Sequence, residues 1–235
     1  MKKEKILRDH FEKIIYSKKD WNLLQEKRKH AIKLLDIFVK EGFNPYIHGS
    51  IARGDTHESS DIDLVFFRQV PSFQIELILD KNGYKNYFRE IIMATPSDSI
   101  KLYIHLSEIE CITLPLSKPE RKTMEFYDFG GKLDIHQLKM GVRVPGIDKR
   151  LVLIKPISEG HEEFSIIGNE ANTAKDVGIS VDTINERVQV LLRREKYGKT
   201  GVFLKRQIHM NETTEEVLKK MAKRKSIIRK KLLKK

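Results

Sequence analysis

Asp61 and Asp63 stand two residues apart in a run that is otherwise apolar, with Ile62, Leu64, Val65, Phe66 and Phe67 around them. Burying charge at such positions is costly unless something compensates it. Alternate residues of a strand share a face, so the two carboxylates project together while Ile62 and Leu64 project into the opposite layer. At about 3.3 Å per residue their Cα atoms lie roughly 7 Å apart, which lets both carboxylates reach a pair of divalent ions about 3.5 to 4 Å apart. Carboxylate oxygens are hard ligands that suit Mg²⁺ or Mn²⁺. Bound metal would offset the repulsion between two neighbouring acids. Asp61 and Asp63 are therefore the expected metal ligands and catalytic acids.

A second group precedes them. Gly49 allows close backbone approach to a phosphate, the amide and hydroxyl of Ser50 can donate to its oxygens, and Arg53 lies one turn further on. Phosphoryl transfer asks a protein chiefly for positioning and charge neutralisation, so a phosphate cradle beside metal-binding carboxylates is nearly a complete apparatus. The order Gly49-Ser50, polar spacer, Asp61-Ile62-Asp63 and apolar strand resembles the DNA polymerase β-like nucleotidyltransferase superfamily. The stretch Gly49-Ser50-Ile51-Ala52-Arg53-Gly54 is most similar to its small prokaryotic members, the minimal nucleotidyltransferases.

The resemblance implies an α/β (α+β) fold with a mixed sheet flanked by helices and two metal ions. It also implies an NTP whose triphosphate rests on the Gly49-Ser50 turn. A nucleoside monophosphate would pass to an acceptor, with release of pyrophosphate. It further implies a third acid on a later strand, for which Glu110 is the first candidate and Glu90 the alternative. Both residues also fit the description of ordinary edge-strand charges.

The elements that must position these groups follow from periodicity. Residues 4–42 read as one or two helices, with Ile6, Phe11, Ile14 and Ile15 and then Leu23, Leu24, Ala31, Leu34, Leu35 and Phe38 at helical spacing. Strands are expected at 46–48, 62–67, 91–94, 101–106 and 109–115, and a helix at 71–82. Residues 116–168 carry Gly130-Gly131, Gly141 and Pro145-Gly146 and one clear strand at 151–154. The division expected is N-terminal helices at 1–42, a catalytic domain at 43–116, a connecting subdomain at 117–168, a small helical winged-helix-like domain at 169–210 and a basic helix or tail at 211–235.

That C-terminal module rests on a helix, a turn at Gly178 and a second helix opened by Ser180 as N-cap. Residues 196–204 read as a glycine-bearing wing. Were it to bind nucleic acid, Thr183 and Asn185 near the start of the second helix would meet the groove. Arg187, Arg193, Arg194, Lys196 and Lys199 would hold the backbone. The formal charge of +12 at pH 7 agrees with a polyanionic partner. Much of the excess lies in Lys219, Lys220, Lys223, Arg224, Lys225, Arg229, Lys230, Lys231, Lys234 and Lys235. Solubility alone is the competing account of this charge.

Other residues carry less. Cys111 is the single cysteine, which excludes an internal disulfide and a cysteine-cluster metal site. His105, His136 and His161 lack metal-ligand spacing. His48 reads as a packed histidine, His57 as one placed in a polar loop within reach of substrate. The run from Arg143 to Arg150 is either a solvated turn or a cationic rim. No apolar run approaches the roughly 20 residues of a membrane span and no signal segment opens the chain, so the cytoplasm is the expected location. Together these readings favour a metal-dependent nucleotidyltransferase acting on an NTP and, as acceptor, a nucleic acid. A protein-modifying, AMP-adding enzyme and a nucleotide-sensing DNA-binding regulator with a non-catalytic fold are the alternatives.

Overall fold

The computed structural model describes residues 5–85, 87–198 and 201–233. In chain order the elements are β1 (Phe11–Ile15), α1 (Lys18–Val39), β2 (Tyr46–His48), α2 (Ser50–Arg53), β3 (Ile62–Val65), α3 (Ser72–Lys81), β4 (Phe88–Met93), β5 (Lys101–His105), β6 (Glu110–Pro115) and α4 (Arg121–Gly130). There follow β7 (Lys132–Leu133), α5 (Ile135–Lys139), β8 (Gly146–Ile147), β9 (Val152–Ile157), β10 (Gly160–Ser165), α6 (Glu170–Val177), α7 (Val181–Tyr197), β11 (Leu204–Ile208), α8 (Thr214–Arg224) and α9 (Ser226–Leu233). They distribute over two units: the described residues of 1–32, 47–60 and 124–200 form one, and those of 33–46, 61–123 and 201–235 the other.

In the first unit β1, β10, β9 and β8 form an antiparallel sheet in that order. Here the expectation of helix before Gly42 is corrected in part, because Phe11–Ile15 is a strand paired residue by residue with Phe164 to Gly160. Long-range ladder partners have overridden a helical spacing carried by only a few residues. Gly160 is required for that approach, since a Cβ there would fall 1.9 Å from the carbonyl oxygen of Ile14. The core of this unit is a cluster that includes Ile6, Phe129, Leu151, Leu153, Ile166, Ala174, Ile184, Val188 and Leu191. The helix pair α6–α7 therefore shares one apolar core with the β8–β9 strands. Gly178 turns between the helices at φ 77°, and Ser180 caps α7 by accepting from the Thr183 amide.

In the second unit β11, β4, β5, β6 and β3 lie side by side in that order. β3 and β6 are parallel and the other pairs antiparallel, the mixed sheet that was expected. One face carries Ile62, Leu64, Ile112, Leu114, Ile104, Leu102 and Ile91, all fully buried. Arg89 on that face pairs with Glu76 of α3 at 2.6 Å and donates to the carbonyls of His209 and Glu212, just ahead of α8. The second half of α1 adds Leu34, Leu35 and Phe38 to this core, with Phe38 edge-on to Phe66 at 5.5 Å.

Of the expected wing, residues 199 and 200 lie outside the described residues. Leu204–Ile208, where it would end, adds to the sheet as the partner of β4, because its Leu204 and Ile208 find burial there. The basic end is helical through α8 and α9. No helix among the described residues is long and apolar enough to cross a membrane.

Candidate active site

The Gly49–Ser50 turn lies in the first unit. Gly49 sits at φ 86°, a conformation that a side chain would strain, and its amide donates to the Gly131 carbonyl at 2.9 Å. The Gly49 carbonyl receives the amides of Ala52 and Arg53, which starts the short α2. The hydroxyl of Ser50 donates to that of Ser60 at 3.0 Å. Buried Arg28 clamps the far end of α2, donating to the carbonyls of Ile51 and Ala52. Burial, and then the charge of Arg143, pulls the Arg28 guanidinium down to about 10. Arg53, expected to bind phosphate, is instead turned inward: it is 6% exposed, grips Asp55 through Nε and Nη2 at 3.0 and 2.8 Å, and donates Nη1 to the Gly130 carbonyl at 2.6 Å. The two arginines that flank β8 are engaged likewise. Arg143 lies over the Trp21 ring at 4.9 Å and donates to Gly160 and Ile157, while Arg150 pairs with Asp148 and Glu163.

The paired aspartates lie in the second unit, where register decides which groups join them. Paired residues of neighbouring strands present their side chains on one face. Asp63 is level with Cys111, Cys111 with His105, and His105 with Phe88. The adjacent row runs Val65, Thr113, Tyr103, Glu90 and Gln207. Asp63, Cys111, His105 and Glu90 therefore share a face. Glu110 is level with Ile62 and belongs to the opposite one, where its charge raises the proton affinity of Tyr84 after burial has done so. Of the two acids weighed as a third carboxylate, the structure thus brings Glu90 to the Asp63 face and sets Glu110 away from it. Glu90 is 5% exposed, with Lys205 Nζ at 2.9 Å and His105 Nε2 at 3.3 Å.

Negative potential gathers on this face. The half-buried Cys111 thiol is pushed up to about 12, first by burial and then by Asp63, Glu90 and Asp61. Burial, Cys111, Asp63, Asp98 and Glu90 likewise keep the Tyr103 phenol protonated. Cys111 is thus an inert thiol by chemistry, but it occupies the register position beside Asp63. A face that penalises every further negative charge is one where a divalent cation fits, and Asp61 and Asp63 offer the hard oxygens to hold it. Sequence reading found both aspartates but not the His105–Glu90 pair or Lys205. Their convergence depends on the pairing of β11, β4, β5 and β6, and no spacing in the chain announces it.

The residues expected to contact nucleic acid separate. Thr183 is 3% exposed and donates to Glu125, a buried carboxylate that also receives the hydroxyl of Ser180. Arg187 stacks over Phe126 at 4.7 Å and Phe129 at 5.7 Å. Both therefore hold α7 to α4 and are not disposed as groove readers. Asn185, Arg193, Arg194 and Lys196 are exposed on α7, and Lys199 lies outside the described residues. His48 packs edge-on to Tyr127 at 5.2 Å with Nδ1 3.1 Å from the Gly131 carbonyl, while His57 stays in an exposed loop with Ser59. A further acidic cluster, His10, Glu12 and Glu163, brings its ligand atoms within 4.8 Å of one another. Its Glu163 is already held by His10 at 2.6 Å and Arg150 at 2.6 Å, which makes it a structural ion-pair network.

The mixed sheet carries Asp63 on β3, with Asp61 just ahead of that strand. Consistent with this, residues 27–130 match the family model of the nucleotidyltransferase domain, within the polymerase β-like superfamily. The match spans α1 to α4, supports nucleotidyl transfer as the general activity, and implies an NTP as substrate. No curated protein and no solved structure matches the chain.

Proposed function

We propose that the protein is a metal-dependent nucleotidyltransferase that moves a nucleoside monophosphate from an NTP to a nucleic-acid acceptor and releases pyrophosphate. The observation that carries this reading is Asp63 on β3 with Asp61 immediately ahead of the strand, inside the segment that matches the nucleotidyltransferase domain. Mg²⁺ or Mn²⁺ bound to them would neutralise charge on the triphosphate and polarise the phosphorus under attack.

The Gly49–Ser50 turn is assigned to the triphosphate. Since the Gly49 amide is committed to Gly131 and the Ser50 hydroxyl donates to Ser60, phosphate oxygens fall first to the opening amides of α2, with the Ser50 hydroxyl turning to them on binding. Arg28 and Arg53 hold the turn from behind, so its shape is set before a nucleotide arrives. The nucleic-acid acceptor is supported by the net charge of +12 and by the exposed cations of α7, α8 and α9.

The test supplies the purified chain with Mg²⁺ or Mn²⁺, each α-labelled NTP in turn, and RNA, single-stranded DNA or protein extract. Label on nucleic acid with wild type, absent with Asp61→Asn, is the expected result. Label on protein would replace the acceptor class. A nucleotide-binding regulator without turnover is the second reading, and one observation favours it: Cys111, not a carboxylate, is level with Asp63 on the neighbouring strand. Measurable NTP binding with no label in any mixture would establish that reading.

A further inference from the structure

We propose that His105, oriented by Glu90, is the general base that takes the proton of the acceptor hydroxyl, a role that rests on the nucleotidyl-transfer reading. His105 is level with Cys111, which is level with Asp63, so the three form one row across β5, β6 and β3. Two strand spacings of about 4.8 Å place the imidazole strand roughly 10 Å from that of Asp63, on the same face. A nucleotide's α-phosphate and an attacking hydroxyl fit in that span.

The arrangement has the parts of a base and its orienter. The His105 side chain is 35% exposed and that of Glu90 7%, so the ring faces solvent and its anchor is buried. Nε2 lies 3.3 Å from Glu90 Oε1, and with its hydrogen donated there Nδ1 keeps the lone pair that accepts a proton. Tyr103 stacks against the ring at 6.3 Å and Phe88 flanks it at 5.6 Å, which fixes its plane. The other ionisable neighbours cannot substitute. Tyr103 and Cys111 hold their protons tightly, and Lys205, which faces Glu90 from β11, is a cation. Glu110 belongs to the opposite face.

In the step, the acceptor O–H gives its proton to Nδ1 and its oxygen forms a bond to the α-phosphorus. The bond from that phosphorus to the bridging oxygen breaks, and pyrophosphate leaves with the electron pair. Glu90 is a positioning residue that stabilises the imidazolium.

Steady-state transfer of an α-labelled NTP to the acceptor that wild type labels, followed across pH, tests this. For wild type the rate falls as acid protonates His105. His105→Gln keeps a donor for Glu90 but no titrating nitrogen; kcat should drop about 10²- to 10⁴-fold with the KM for NTP within threefold, and the acid limb should vanish. Glu90→Gln should lower kcat with the KM for NTP within threefold, because the ring loses the carboxylate that orients it. Should His105→Gln fail to fold, His105→Asn reads the same limb and Glu90→Gln the same split between kcat and KM. A His105→Gln enzyme within threefold of wild type, or one that keeps the limb, overturns the role and leaves the transferase reading standing. Wild type that binds NTP and transfers nothing overturns both.

Discussion

The two units use carboxylates in opposite ways. In the first, Glu125 is wrapped by the hydroxyls of Ser180 and Thr183, and Glu163 by His10, His161 and Arg150. Each acid there has specific donors that fix helix or strand. In the second, Asp63 and Glu90 share a face and, with Asp61, raise the proton affinity of the thiol beside them. Donors wrapped around one carboxylate tie a structure together, whereas carboxylates that act on a common neighbour set up a field for a cation or a base to answer. The difference separates architecture from chemistry without reference to sequence motifs.

The largest expected effect tests the chemical side. Asp63→Asn keeps the shape of the half-buried side chain and removes its charge. Turnover should fall by at least about 10³-fold, with the fold retained. An equal loss of activity and stability would mean that Asp63 belongs with Glu125 and Glu163 as a structural acid.

Glu125→Ala tests the other side. It strips the acceptor from Ser180 and Thr183 and removes a negative charge from the N-terminus of α7, so a cost of about 2 to 4 kcal/mol is expected. Denaturant unfolding measures it directly. A cost below about 1 kcal/mol would show that α7 is held by its apolar face alone.

Glu163 gives the acid branch of the same comparison. Burial opposes its charge, but hydrogen bonds from His161, Arg150 and His10 prevail and hold the carboxyl down at about 2. Its folded-state value is thus depressed, so the stabilisation is complete above the ordinary carboxylate value of 4.5 and is lost as pH falls from there towards about 2. About 2 kcal/mol is expected after allowance for screening. Glu163→Gln should flatten the stability profile in that window, and a profile unchanged by the substitution would put the acid sensitivity elsewhere.

What the sequence disclosed follows the range of each interaction. Asp61, Asp63, Gly49 and Ser50 were legible because strand alternation and turn geometry are local, and the strands at 101–105 and 110–115 because apolar runs mark them. The strand Phe11–Ile15 was not, since only its ladder with β10 distinguishes it from a helical pattern. Arg53, Thr183 and Arg187 looked like ligand-facing residues. Each in fact serves a partner far along the chain, Gly130, Glu125 and Phe126 respectively. The choice between Glu110 and Glu90 likewise needed the β3–β6 register, where a shift of one residue exchanges the faces.

The smallest expected effect concerns where a polyanion is held, and it compares the units once more. α7 exposes Arg193, Arg194 and Lys196 in the first unit, while α8 and α9 expose Lys219, Lys220, Lys223, Arg224, Arg229 and Lys230 in the second. Phosphate contacts act nearly additively through counterion release, so each cation that touches nucleic acid steepens the salt dependence by about one unit of log–log slope. Replacing Lys219, Lys223 and Arg229 by alanine should weaken RNA or single-stranded DNA binding a few-fold and lower the slope by up to about three. The same replacement at Arg193, Arg194 and Lys196 should lower it less, because α7 exposes fewer cations than α8 and α9 together and so builds a weaker local field. Slopes unchanged from wild type in both triple variants would place the acceptor's backbone on neither surface, and a larger loss from α7 would move it to the helix-turn-helix pair.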